Sequence, residues 1–136
     1  MRKKVAAVIV KNGKILLIRR VKNNREYFVF PGGRVREKEN FETAIKRQIK
    51  QEFDIDIQIE TFLFRIENNG KVELYFLVKN FAGESKISGE EKLVINDNNQ
   101  YYLEWKNLSD IKKLSNLQPE EAKNKIKKLM YSLAVK

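Results

Sequence analysis

An α+β fold, in which two helices pack against a mixed sheet, is the fold class that this sequence predicts. Three observations support it: apolar runs typical of strands, a stripe of apolar residues spaced four apart, and a second amphipathic stretch near the C-terminus. In chain order they give a hairpin, a strand, a helix, a long hairpin, a strand and a helix. We see no internal repeat or linker, so the 136 residues are predicted to form one domain, 1–136.

The first part of the chain is predicted to be mostly strands. The segment KVAAVIVKNGKILLIRR holds two apolar runs around an Asn-Gly pair, a strong hairpin signal because both residues tolerate positive φ. Residues 21–27 are mostly polar and charged, so we expect a loop there. The segment YFVF should be a short strand, and the Pro-Gly-Gly at 31–33 should be a turn whose glycines allow a close backbone approach.

The middle of the chain begins with a helix. Four apolar residues recur at intervals of four: Phe41, Ile45, Ile49 and Phe53. Residues 40–53 are therefore predicted to be helical, with Asn40 as the N-cap. The alternating segment IDIQIETFLFRIE and the segment KVELYFLVKNF should be strands joined by a turn at 68–70.

The last part of the chain is predicted to hold a loop, a strand and a helix. Residues 82–99 are rich in Gly, Glu, Asn and Ser and should form a long surface loop. The segment YYLEWKNL should be a strand, followed by a short helical turn at 109–113. An amphipathic helix is predicted over about residues 119–133, with Pro119 in its first turn.

The residue types that are missing exclude several kinds of chemistry. The chain has no cysteine and no histidine. Disulfides, zinc sites with Cys or His ligands, thiol nucleophiles and His-based triads are therefore excluded. Metal binding would have to use oxygen ligands, which favour Mg²⁺, Mn²⁺ or Ca²⁺.

The net charge of +10 predicts an affinity for anions such as nucleotides, although lysines spread over a solvated surface would give the same value. No basic helix interleaved with aromatics is present, so we predict no nucleic-acid partner. The longest apolar run near the N-terminus, Val5–Val10, is too short for a signal peptide or a membrane span. We expect no membrane partner and a cytoplasmic location.

The predicted helix aims three polar side chains in one direction. Gln48, Gln51 and Glu52 are spaced i, i+3 and i+4, which places them within an arc of roughly 100°. Glu52 projects close to the apolar stripe, and a buried carboxylate is costly unless it is paired or binds a cation. Arg47 lies beside this cluster and Glu39 precedes the helix, so both could reach it. A surface helix with a single Glu–Arg pair would explain the same spacing.

These residues resemble the box of the Nudix hydrolases, G-x5-E-x7-R-E-U-x-E-E-x-G-U, where U is aliphatic. Gly33, Glu39, Arg47 and Glu52 take the positions of the glycine, first glutamate, arginine and last glutamate, without a gap over residues 33–55. The resemblance implies the Nudix-type α/β/α sandwich, with a mixed sheet and two main helices.

The chain departs from the family pattern at four positions. Glutamines stand at 48 and 51, where the family has glutamate, and Asp54 stands at the glycine near the end of the box. Lys38 precedes the first glutamate, where glycine is frequent. Glutamine is nearly isosteric with glutamate, so the helix should survive, whereas the loss of two carboxylates should weaken metal binding strongly.

The resemblance implies a metal-dependent nucleotide pyrophosphohydrolase, which splits a nucleoside diphosphate linked to another group. The implied ligand positions for Mg²⁺ or Mn²⁺ are Glu52, Gln48, Gln51 and the Gly32 carbonyl. Arg47 would orient the acidic cluster, with Glu39 as a further ligand or its support. Candidate substrate-binding residues are Gly32, Gly33, Arg34, Arg19 and Arg20.

The sequence leaves several alternatives open. The chain is a degenerate family member with weakened activity, an enzyme that uses other carboxylates such as Glu90 or Glu91, or a variant changed on purpose to trap substrate. A catalytically impaired nucleotide-binding module is the alternative function. The substrate, the general base and the oligomeric state, including a homodimer, also stay open.

Overall fold

The structure, a computed structural model, describes residues 2–83 and 95–134. Its strands are β1 (Arg2–Val8), β2 (Val10–Lys11), β3 (Lys14–Lys22), β4 (Arg25–Val29), β5 (Gly32–Arg34), β6 (Ile55–Asn68), β7 (Lys71–Gly83) and β8 (Asn99–Asn107). Its helices are α1 (Phe41–Phe53), a 3-10 helix (Leu108–Lys113) and α2 (Glu120–Leu133).

The strands form two sheets. The first has the order β5-β1-β7-β6 and is mixed, because β1 runs parallel to β7 and the other pairs are antiparallel. The second is antiparallel: β3 pairs with β8 along its whole length, and with β2 and β4 on its other side. The predicted mixed sheet is therefore one of two sheets.

The two helices lie on opposite faces of the strands. Alternate residues of β1 belong to different hydrophobic clusters: Val5 and Ala7 pack with α1, whereas Ala6 and Val8 pack with α2 and the 3-10 helix. A strand buried on both faces has a continuous apolar run, which explains the composition of β1. The predicted α/β/α sandwich with two main helices is confirmed.

Helix α1 begins and ends where its sequence predicts. Asn40 is the N-cap, and its Oδ1 accepts a 2.8 Å hydrogen bond from the backbone N–H of Thr43. Four apolar residues form the buried stripe: Ala44, Ile45, Ile49 and Phe53. The helix ends at Asp54, whose φ of 56° places it in the left-handed region.

Three local predictions were wrong. Residues 21–27 are not a loop: β3 continues to Lys22 and β4 begins at Arg25, with the turn confined to 23–24. Strand pairing uses backbone groups, so charged residues at an exposed strand end can join the ladder. Residues 31–33 are not a turn, because Gly32 starts β5 and pairs with β1. Pro119 precedes α2 as its N-cap and does not lie within its first turn.

The predicted loop at 82–99 is shorter at both ends, because β7 continues to Gly83 and β8 begins at Asn99. Its segment 84–94, which includes Glu90 and Glu91, lies outside the described residues. Within the described part of the chain, neither α-helix has the length and apolar character required to cross a membrane.

Candidate functional site

A cleft of about 440 Å³ opens between β5, the N-terminal end of β1 and the inner face of α1. Seven of the residues singled out from the sequence line it: Gly32, Gly33, Arg34, Arg47, Gln48, Gln51 and Glu52. The spacing of the box residues along the chain thus corresponds to a single place in the fold.

The two glycines of β5 allow the close approach that the sequence suggested. A Cβ on Gly32 would lie 2.0 Å from the backbone oxygen of Val5, which β1 holds in place. A Cβ on Gly33 would lie 2.1 Å from Nε2 of Gln48, so this glycine makes room for a side chain of α1. Only residues without a Cβ let β5 lie this close to both β1 and α1.

Glu52 faces inward, as its position on the helix predicts. Only 4% of the residue is exposed, and it lines the cleft beside the glycines. It is the only carboxylate among the lining residues described for this cleft, which Lys4, Arg34 and Arg36 also line. The cleft therefore combines one buried carboxylate with four cations, of which Arg47 is the fourth.

Arg47 is the centre of a hydrogen-bond network in which all five of its N–H groups are used. Nε donates to Glu39 Oε2 at 2.7 Å, and Nη2 donates to Glu39 Oε1 and to the Arg34 carbonyl, both at 3.0 Å. Nη1 donates to Gln48 Oε1 at 2.9 Å and to Gln51 Oε1 at 3.0 Å. The guanidinium therefore fixes the loop before α1 and both amide side chains in one arrangement.

Glu39 is not one of the residues that line the cleft, and it accepts two hydrogen bonds from Arg47. The two hydrogen bonds from Arg47, followed by one of 2.9 Å from the backbone N–H of Arg36, lower the pKa of Glu39 to about 2. Glu39 is therefore a carboxylate at neutral pH, and its charge compensates that of the guanidinium.

The donor set does not fit a divalent metal held by the protein alone. The lining supplies one carboxylate, and both amide oxygens at the predicted ligand positions accept hydrogen bonds from Arg47. Across residues 2–83 and 95–134, no group of three or more carboxylates could hold a metal ion. Divalent cations prefer charged oxygen ligands, whereas the other charged groups of this cleft are cationic.

Arg19 and Arg20 lie elsewhere, on β3 of the antiparallel sheet. Arg19 donates a 2.7 Å hydrogen bond from Nε to Glu104, and its guanidinium lies 4.2 Å from the ring centre of Tyr102. Arg20 donates to the Tyr101 hydroxyl at 2.6 Å. Neither arginine lines the cleft, and their contact with substrate stays a prediction.

Two lining residues were missed by the sequence reasoning, Lys4 and Arg36. Lys4 reaches the cleft because β1 pairs with β5 in the register Lys4–Arg34, and no local pattern reveals such a long-range pairing. Arg36 follows the glycines by three residues, so a search for cations on both sides of the box glycine would have found it.

A second buried carboxylate belongs to a neighbouring polar cluster. Glu73 on β7 is opposite Lys4 in the strand register and accepts hydrogen bonds from the Tyr75 hydroxyl at 2.8 Å and from Asn68 Nδ2 at 3.0 Å. Burial, followed by the nearby Glu73 carboxylate, raises the pKa of Tyr75 far above its usual range. This hydroxyl is thus a permanent donor to Glu73.

Comparison with known proteins identifies the family and the fold. A protein-family model described as "NUDIX domain" matches residues 1–129. Among solved structures, a MutT NUDIX hydrolase from Burkholderia pseudomallei is 28% identical, with a TM-score of 0.72 over 93% of this chain and 95% of that one. No curated protein matches the chain.

Two further solved structures show the same fold at lower identity. The E. coli ORF135 protein is 22% identical, with a TM-score of 0.75 over 100% of this chain and 93% of that one. A protein described as an ADP compounds hydrolase is 15% identical, with a TM-score of 0.71 over 96% of this chain and 74% of that one.

Proposed function

This chain belongs to the Nudix family, and from that premise we propose that it hydrolyses, slowly, the anhydride bond of a nucleoside diphosphate linked to another group. One observation carries the proposal: a single buried carboxylate, Glu52, lies in a cationic cleft directly beside the backbone of Gly32 and Gly33. A diphosphate needs cations and close backbone, and hydrolysis needs a group that can accept a proton from water.

The cations of the cleft would bind and orient the diphosphate. Lys4, Arg34 and Arg36 line the cleft and can pair with phosphate oxygens. The same charges would stabilise the negative charge that develops on the leaving phosphate when the bridging P–O bond breaks. Water would form the new P–O bond, and Glu52 would accept its proton.

Arg47 would act indirectly. Its bonds to Gln48 and Gln51 hold both amides in the cleft that Glu52 lines, and its pair with Glu39 fixes the loop that carries Arg36. Nudix hydrolases generally use Mg²⁺ or Mn²⁺, which polarises the bridging phosphate and activates water. The donor set of this chain does not fit such an ion, and we therefore propose a slow reaction.

A second candidate function, nucleotide binding without cleavage, is favoured by the hydrogen bonds of Arg47 to both amide oxygens. Gln48 and Gln51 occupy the positions of two family glutamates, and here they complete a network centred on a cation. Such a site retains the affinity for a phosphate while losing the groups that bring a metal to it.

The substrate class follows from the family and stays broad. ADP-ribose-like compounds, dinucleoside polyphosphates and oxidised nucleoside triphosphates all contain the required anhydride, and one fold neighbour is described as acting on ADP compounds. The cytoplasmic location and the homodimer remain predictions from the sequence.

The test is a panel of these nucleotides, incubated with and without Mg²⁺ or Mn²⁺ and analysed by chromatography, with thermal unfolding of the same samples measured in parallel. We expect slow product formation that is abolished by Glu52→Gln. Stabilisation by a nucleotide with no product would favour the binding function, and neither response would contradict both.

A further inference from the structure

We propose that this cleft binds a diphosphate without a divalent metal ion, because its own cations balance the charge of the ligand and the neutral amides of Gln48 and Gln51 do not repel it. The inference rests on the proposed function, since it assumes that the cleft receives a diphosphate. It goes beyond that function by stating how the ligand's charge is neutralised.

The charged groups of the cleft leave an excess of positive charge. Four cations, Lys4, Arg34, Arg36 and Arg47, line it, whereas the carboxylates are Glu52 in the lining and Glu39 paired with Arg47. These six groups leave a net charge of +2. A diphosphate group brings a similar charge of opposite sign, so the protein can neutralise it directly.

Gln48 and Gln51 keep two positions of the cleft lining uncharged. Glutamates at 48 and 51 would bring the net charge of the same groups to zero and place two further carboxylates beside Glu52. A diphosphate could then approach only together with a metal ion, because like charges at short range repel. With glutamine at both positions that repulsion is absent.

Arg47 contacts both of these amides. In this structure its Nη1 donates to both amide oxygens, at 2.9 Å to Gln48 and 3.0 Å to Gln51, so a protein cation interacts with the atoms that correspond to the family's ligand positions. Glu39, whose Oε2 lies 2.7 Å from Nε of Arg47, compensates the charge of this guanidinium. Arg47 therefore keeps its position without any metal ion.

The experiment is calorimetric titration of the full chain with inorganic pyrophosphate and with ADP, in excess EDTA and in Mg²⁺. We expect affinities in EDTA that equal or exceed those in Mg²⁺. For Gln48→Glu, Gln51→Glu we expect at least about a tenfold loss of affinity in EDTA, restored by Mg²⁺. Mg²⁺ without nucleotide should raise the Tm of this variant and not that of the unchanged chain.

The matched control is Gln58→Glu, Asn124→Asp, which adds the same two charges at exposed amides outside the cleft. It should bind both ligands in EDTA nearly as well as the unchanged chain. Binding by the unchanged chain only in Mg²⁺ would overturn this inference and leave the proposed function standing. No binding of either ligand in any buffer would overturn the diphosphate site itself.

Discussion

Arg47 and Glu39 form a two-point contact, with Nε 2.7 Å from Oε2 and Nη2 3.0 Å from Oε1. This fork joins the loop that follows β5 to the middle of α1. The same guanidinium donates a hydrogen bond to the carbonyl of Arg34, so it also fixes the backbone at the end of β5. We therefore expect the pair to stabilise the fold as well as the cleft.

The pH dependence of the stability of Glu39→Gln tests the ion pair between Glu39 and Arg47. The folded pKa of Glu39, about 2, lies below its ordinary value of 4.5, so its stabilising contribution is complete above pH 4.5 and is lost as the pH falls toward 2. We expect the variant to unfold at a lower temperature than the unchanged chain at pH 6, and the difference to shrink by pH 3. Thermal unfolding across this range measures it.

The control for this pH series is Glu42→Gln, which removes an exposed carboxylate from the first turn of α1, three residues after Glu39. The convergence at low pH should be specific to Glu39. A gap between the Glu39 variant and the unchanged chain that stays constant down to pH 2 would contradict the role given to this pair.

Gln48→Glu, Gln51→Glu tests whether the cleft is a weakened hydrolytic centre. Two added carboxylates beside Glu52 restore a charged oxygen donor set, so hydrolysis in Mg²⁺ should rise by about a hundredfold or more, the scale of effect that metal ligands and their supports have. Initial rates on the nucleotide panel give the ratio. Equal rates in the two proteins would mean that the chemistry is carried elsewhere.

The sequence predicted the parts of this site that depend on local spacing. Helix α1, the inward direction of Glu52 and the pairing of Arg47 with an acidic neighbour follow from a 3.6-residue period and a known box. Lys4 could not be found in this way, because it reaches the cleft through the antiparallel register between β1 and β5.

The departures from the family pattern also gain a physical meaning from the backbone. Asp54 stands where that pattern has glycine, Lys38 stands where glycine is frequent, and both have positive φ, 56° for Asp54 and 66° for Lys38. The family glycines therefore correspond to left-handed conformations, which side chains with a Cβ adopt at a cost. The sequence reveals the substitutions, whereas the positive φ angles of Lys38 and Asp54 are seen only in the folded backbone.

Lys38→Gly should stabilise the protein. Relief of the left-handed conformation, offset in part by the greater freedom of glycine in the unfolded chain, is expected to raise the free energy of unfolding by about 0.5–1 kcal/mol. Lys38→Ala is the matched control, because it removes the side chain and keeps the Cβ. Urea unfolding should rank the glycine variant above the alanine variant, and the reverse order would contradict the argument.

Gly32→Ala and Gly33→Ala should differ in cost. At Gly32 the new Cβ would meet the backbone oxygen of Val5, which cannot move without β1, so we expect a loss of about 1–3 kcal/mol or more. At Gly33 it would meet the side chain of Gln48, which can rotate away. Unfolding in urea would show the difference, and equal losses would mean that β5 is not pressed against β1.

Tyr75→Phe tests the buried cluster next to the cleft. Loss of the 2.8 Å hydrogen bond to Glu73 leaves a buried carboxylate with one donor fewer, at a cost of about 1–3 kcal/mol. Tyr131→Phe removes a hydroxyl from a residue that is 93% exposed and should cost little. Similar stabilities for both variants would show that Glu73 does not depend on Tyr75.

Strand β1 has apolar side chains on both faces from Val5 to Val8, and this has a consequence for folding. A slip by one residue would exchange the two faces while keeping apolar groups buried, so hydrophobicity alone distinguishes poorly between the correct and shifted alignments. The charge of Lys4 distinguishes the correct alignment from the shifted one. Lys4 lies on the same face of β1 as Ala6 and Val8, and the slip would turn it toward the face that packs against the apolar stripe of α1. The lysine that lines the cleft would then also be the residue that keeps the central strand in place.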